Sequence, residues 1–208
     1  MTEPLIFFVK SFVALFSVLD PFGAAITLLA LAPGGGVAHR ADQAFRAVRA
    51  SAMVMLVFAI VGGHIFAFFG VSVEALMVAG GVILMSVSLK MLEGESITYR
   101  SSLAEREEGE RKEDVAIIPM AVPILSGPAA ITAVMVFANR AANWMDWVAL
   151  LAALGLSLVG TWLILRNSER VAAWLGATGV RLLTRVMGLI LIAMGVEFAL
   201  SGVKSYFH

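Results

Sequence analysis

The sequence has no cysteine, and only 14% of its 208 residues are charged. The missing cysteine excludes disulfide frameworks and thiolate metal sites. Basic and acidic residues are equal in number, so the net charge is zero and there is no electrostatic footprint for nucleic acid. Histidine is scarce as well. His39, His64 and His208 stand far apart, so neither a metal site nor a cofactor is expected. No His-Glu-x-x-His motif occurs, and Asp20 has no acidic partner at similar depth, so no enzymatic activity is expected. The leading apolar run lacks a basic segment before it and outlasts a signal-peptide core. It is expected to be a retained helix.

What remains is apolar. Hydrophobic residues make up 60% of the chain, with a mean hydropathy of +0.92. A soluble domain has about 45–50%. Six runs are long enough to cross about 30 Å of hydrocarbon at about 1.5 Å per residue. They cover roughly residues 5–31, 48–69, 73–92, 115–138, 147–165 and 182–203. The expected architecture is therefore an all-α integral membrane protein of six transmembrane helices, forming a single transmembrane domain over residues 1–208. Residues 70–72 are barely a turn, so the second and third helices are expected to form a tight hairpin. Residues 93–114 form a charged connection, expected as a mobile loop or a surface helix.

Six crossings put both termini on one side. Lys10, Arg140 and Lys204 then share one face, and the other twelve basic residues share the opposite face. The positive-inside rule assigns the second face to the cytoplasm. The expected location is the bacterial inner (plasma) membrane, multi-pass, with both termini outside. Trp144, Trp147, Trp162 and Trp174 fall near the ends of the fifth helix, as interfacial anchors do.

An internal repeat is also legible. Ala24-Ala25-Ile26-Thr27 recurs as Ala129-Ala130-Ile131-Thr132, offset by 105 residues. Each copy follows helix breakers, Asp20-Pro21-Phe22-Gly23 in one case and Ser126-Gly127-Pro128 in the other. At an offset of 108, Val78, Gly80, Leu92 and Gly94 match Val186, Gly188, Leu200 and Gly202. Repeat 1 then covers about residues 1–94 and repeat 2 about residues 115–208. Three crossings per half make the repeats inverted, an arrangement of many secondary transporters.

The first and fourth helices should be broken at mid-membrane. Proline removes a backbone donor and its ring clashes with the preceding turn, and glycine relaxes the backbone. Groups freed at that depth must face protein or a wet cavity. The half-helices beginning near Ala24 and Ala129 offer positive N-termini to an anion such as a carboxylate. Carbonyls before the breaks suit a cation. A plain proline kink is the structural alternative.

Asp20 costs at least about 2.5–3.5 kcal/mol at this depth, which makes it a candidate for exchanging a proton or ion. Its structural alternative is to cap the second half-helix. Thr27 and Thr132 are placed to meet a ligand or to bond back to their own helix. Glu197 is a second candidate for coupling. The substrate-binding set is thus Asp20, Pro21, Phe22, Gly23, Ala24, Thr27, Ser126, Gly127, Pro128, Ala129 and Thr132. At the 105 offset Leu125 stands opposite Asp20, so the two breaks are chemically unequal.

Leu19-Asp20-Pro21-Phe22-Gly23, Ala79-Gly80-Gly81, the run from Ile118 through Pro119 and Pro123 to Pro128, and Arg185-Val186-Met187-Gly188-Leu189 through Gly195-Val196-Glu197-Phe198 resemble the MarC family of bacterial membrane proteins. The resemblance spans nearly the whole chain. The family often has glycine at Ala129 and asparagine at Ala24. It was once linked to multiple antibiotic resistance, and some members look like transporters of glycine and other small neutral amino acids. The resemblance implies a six-helix inner-membrane protein, and it points to the two breaks as the site. The function expected is a secondary transporter of a small solute, a neutral amino acid such as glycine or alanine, by alternating access around the two broken helices, with proton coupling through Asp20. A scaffold protein, a drug exporter and a membrane enzyme are the competing classes. The expected partners are the lipid bilayer and a small zwitterionic substrate, with no nucleic acid; the oligomeric state is open.

Overall fold

A computed structural model describes residues 3–32, 36–93 and 116–207. The charged connection from residue 94 onward and His208 lie outside the described residues. Eight helical segments follow one another: α1 (Glu3–Leu19), α2 (Pro21–Leu31), α3 (Val37–Phe68), α4 (Val73–Glu93), the π-wound α5 (Ala116–Leu125), α6 (Pro128–Arg140), α7 (Trp144–Arg166) and α8 (Ser168–Tyr206). Among the described residues there is no strand.

Five stretches are long and apolar enough to cross a membrane: Glu3–Leu31, Val37–Phe68, Val73–Glu93, Trp144–Arg166 and Ser168–Tyr206. The expected span over residues 115–138 is not one continuous helix. Its segments α5 and α6 have 10 and 13 residues, each too short alone. The cause is local. Ile118 and Val122 each precede a proline, and both adopt extended backbone angles (φ −124°, ψ 120° and φ −130°, ψ 119°). The proline ring crowds the residue before it out of the helical region.

Large apolar side chains remain exposed on the outer faces, including Met53, Val57 and Ile60 of α3 and Val148 and Val159 of α7. Patches of this kind on a membrane protein face lipid. The four tryptophans divide. Trp144 and Trp174 are exposed, whereas Trp147 and Trp162 pack against the core.

The packing corrects one expectation. A turn as short as the one at Gly70 predicts that α3 and α4 pair as a hairpin, yet they hardly touch. Instead α3 lies against α5, α6 and α7, while α4 lies against α8 and α6. Lipid gives apolar helices no reason to pair with their chain neighbours, so contact follows small-residue faces. On α4 and α8 those faces meet closely. A Cβ on Gly195 would fall 2.9 Å from the Gly81 carbonyl, one on Gly188 2.8 Å from Met91, and one on Gly202 2.7 Å from the Glu74 carbonyl. The glycines recur every seventh residue on α8 while their partners descend α4, so the two helices run antiparallel.

The remaining contacts interleave the N-terminal and C-terminal segments. α1 and α2 pack on α7, just as α5 and α6 pack on α3, and α2 meets α8 as α6 meets α4. Two serines mark equivalent places. Ser51 of α3 donates to Ala47 O (3.0 Å) and to Ala121 O of α5 (3.4 Å). Ser157 of α7 donates to Ala153 O (2.8 Å) and to Phe12 O of α1 (3.5 Å).

Candidate functional site: the two helix breaks

Asp20 sits between α1 and α2 and belongs to neither. Its backbone is left-handed (φ 40°, ψ 62°), and among the described residues it is the one non-glycine with positive φ. Aspartate tolerates this region better than most residues, at some cost. The conformation ends α1, with the Asp20 N–H reaching Ser17 O at 3.3 Å. It also starts α2. The Gly23 N–H donates to Asp20 Oδ1 (3.3 Å), the Ala24 N–H donates to Asp20 O (2.9 Å), and Pro21 occupies the first turn, where no donor is required. Asp20 is 1% exposed. Pro21, Gly23 and Ala24 are buried with it, and Phe22 is half-buried.

Sequence inspection missed one partner of Asp20. Thr184 of α8 is buried and donates its hydroxyl to Asp20 Oδ1 at 3.3 Å. The repeat carried a faint sign of it. At the 108 offset Thr184 stands opposite Leu76, as Asp20 stands opposite Leu125 at 105. Asp20 and its partner Thr184 thus both correspond to leucines in the other half of the sequence.

The second break is built differently. Ser126 is buried, and both its N–H (2.9 Å) and its hydroxyl (2.8 Å) donate to Ala121 O. The Ala121 carbonyl, one of those before the break, is thus already bonded by Ser126 and, at 3.4 Å, by Ser51 of α3. Gly127 starts α6 in extended conformation (φ −70°, ψ 173°), is half-buried, and provides no side-chain cap. Pro128 is exposed in the first turn, while Ala129 and Thr132 are buried.

The two threonines behave alike. Thr27 donates to Gly23 O (3.2 Å) and Thr132 to Pro128 O (2.8 Å), each one turn back along its own helix. The Thr132 methyl also lies against Gly80 of α4, where any Cβ would fall 2.5 Å from it. Glu197 is exposed and stands apart. Thirteen residues of α8 separate it from Thr184, about 20 Å of helix. The structure does not bring it to Asp20.

The far end of α2 is fastened as well. Arg40 of α3, which the sequence marked only as a surface charge, is buried. It donates to Ala32 O just after α2 (3.2 Å) and pairs with Glu169 of α8. α2 is therefore joined to α8 at one end through Asp20 and Thr184, and at the other through Arg40 and Glu169. A cavity of about 530 Å³ surrounds this second tie and is lined by Arg40, Arg166, Glu169 and Arg170. Cavities of about 540 and 340 Å³ lie elsewhere. None of these three is lined by a residue of either break.

The sequence profile described as MarC family integral membrane protein matches residues 5–207. The chain belongs to the MarC family. A UPF0056 membrane protein of Methanocaldococcus jannaschii is 36% identical over 95% of this chain and 96% of its own length. A UPF0056 membrane protein of Pyrococcus abyssi is 35% identical over 100% and 99%. The YhcE membrane protein of Escherichia coli is 26% identical over 95% and 92%. MarC relatives thus occur in archaea and in bacteria, and this chain is a multi-pass integral membrane protein like them. No solved structure matches it.

Proposed function

We propose that the chain is a secondary transporter of a small zwitterion, most simply a neutral amino acid such as glycine or alanine. One observation carries this reading: the two half-helix N-termini at the breaks are capped unequally. The N-terminus of α2 already holds a carboxylate, that of Asp20, whereas α6 begins at Gly127 with no side-chain cap. A substrate carboxylate suits the α6 terminus, and its ammonium group suits Asp20. A molecule carrying both charges a few bonds apart answers both ends.

Alternating access needs two halves that rock against each other. The reading takes α1–α4 and α5–α8 as those halves, each a broken helix followed by two spans, which makes six crossings in all. The interleaved contacts, the antiparallel α4–α8 pair and the equivalent Ser51 and Ser157 bonds support it. About 17 Å of α2 separates its break from the cytoplasmic end of that helix, half of a bilayer core. The protein would lie in the cytoplasmic membrane with both termini outside. The burial of Asp20 and Ser126 then corresponds to an occluded state, with Asp20 exchanging a proton as the site opens.

The bonds that Asp20, Thr27, Ser126 and Thr132 make within their own segments favour a second reading, a non-transporting scaffold whose breaks serve packing. Binding separates the two, by thermal unfolding of the purified protein. A transporter of this kind is stabilised by glycine or alanine, and not by acetate or methylamine, which carry one charge each. Equal behaviour with all four compounds supports the scaffold.

A further inference from the structure

The cavity of about 540 Å³ lies between α1, α6 and α8, and no residue of either break lines it. Most of its wall is apolar, including Val9, Val13 and Leu189. Three charged residues also line it: Lys10, Arg140 and Glu197. The Arg140 guanidinium is held over the Phe198 ring, 4.8 Å from its centroid. Glu197 accepts a hydrogen bond from Ser201 at 3.5 Å. Arg140 and Glu197 are close enough to interact electrostatically. No ion pair within 4.0 Å joins any of the three to another among the described residues. Two positive groups and one negative group thus face a shared space without closing on each other.

We propose that this cavity binds the headgroup of an aminophospholipid from the surrounding leaflet. Its phosphate lies between Lys10 and Arg140, and its primary ammonium meets Glu197. A guanidinium and an ammonium both suit a phosphate oxygen, and a carboxylate is an acceptor that rewards N–H donors. A choline headgroup carries the positive charge but no N–H to donate. The source is lipid because Val9 and Leu189, both in the wall, are exposed on the outer faces of α1 and α8, where acyl chains run. Arg140 ends α6, which sets the charges toward the membrane boundary, where headgroups lie. Glu197 stands about 20 Å from Thr184 along α8, so a headgroup ammonium there and a substrate at the breaks do not share a side chain.

The test is thermal unfolding of the full chain in detergent with added phosphatidylethanolamine, phosphatidylcholine or phosphatidylglycerol at equal concentration. The wild type should be stabilised by several degrees more with phosphatidylethanolamine than with the other two. Glu197→Gln should lose that excess over phosphatidylcholine. Arg140→Gln should respond less to all three lipids, and Lys10→Gln serves in its place if that variant fails to fold. Free phosphoethanolamine should give no shift. Equal shifts with the three lipids, or an intact preference in Glu197→Gln, overturn the proposal. A shift from free phosphoethanolamine equal to that from the lipid overturns the assignment to lipid.

Discussion

The Thr184 hydroxyl donates to Asp20 Oδ1 across 3.3 Å, linking α8 to the junction of α1 and α2. Both residues are buried, so the bond forms where water cannot replace it. Losing a partner of a buried acceptor costs about 1–3 kcal/mol. Thr184→Val should therefore lower the unfolding temperature and slow solute uptake, and Thr184→Ser should restore both. Thermal unfolding and uptake of the same preparations check this. A Thr184→Val protein as stable and active as the wild type contradicts it.

Asp20 combines a left-handed backbone with a capping carboxylate, and substitutions separate the two. Alanine loses the cap, worth about 1 kcal/mol, and tolerates the left-handed region poorly, at about 1–2 kcal/mol. Glycine loses the cap but fits the backbone. Asparagine keeps both features and removes only the charge. The expected order of unfolding temperature is Asp20→Asn highest, Asp20→Gly next and Asp20→Ala lowest. Asp20→Asn should nevertheless lose proton-linked transport, which distinguishes a chemical role from a structural one.

The α4–α8 contact predicts a contrast between two glycines. A Cβ at Gly195 meets the Gly81 carbonyl at 2.9 Å and the Met85 backbone nitrogen at 3.1 Å, neither of which can move aside easily. Gly195→Ala should destabilise by about 1–3 kcal/mol, as overpacking does. Gly155 of α7 has nothing within 4 Å of its Cβ position, and Gly155→Ala should be neutral or stabilising by up to about 1 kcal/mol. Parallel unfolding curves decide it.

Much of this was legible in the sequence, and the rest was hidden for physical reasons. Pro21, Gly23, Gly127 and Pro128 act on their own backbone, so the breaks could be read locally. Asp20 as a cap was legible for the same reason. Its bond to Thr184 was not, because the two lie 164 positions apart in the sequence and only folding joins them. Arg40 looked like one more surface charge, yet its pairing with Glu169 depends on α8 returning to α3. The turn at Gly70 suggested a hairpin, but Gly81 of α4 faces Gly195 of α8 and Gly80 faces Thr132 of α6, so α4 packs on those helices rather than on α3.

The Arg40–Glu169 pair makes a further prediction. It closes the end of α2 against α8. Arg40→Ala should loosen that end, and a cysteine placed at Ala32, which is 8% exposed, should then react faster with a membrane-impermeant thiol reagent. The chain has no cysteine of its own, so the label reports one position. Exchanging the charges, Arg40→Glu with Glu169→Arg, should return most of the protection. Equal labelling rates in all three backgrounds would show that the pair does not hold the end shut.

The central claim is that the two breaks form one transport site in which Asp20 handles charge. Uptake of labelled glycine and alanine into proteoliposomes, with and without an imposed pH gradient, tests it most directly. The wild type should accumulate at least one of them, and the gradient should change the rate. Asp20→Asn, folded by its unfolding curve, should lose that dependence. No uptake of any amino acid by folded wild type contradicts the substrate, and gradient-driven uptake unchanged in Asp20→Asn contradicts the role of Asp20.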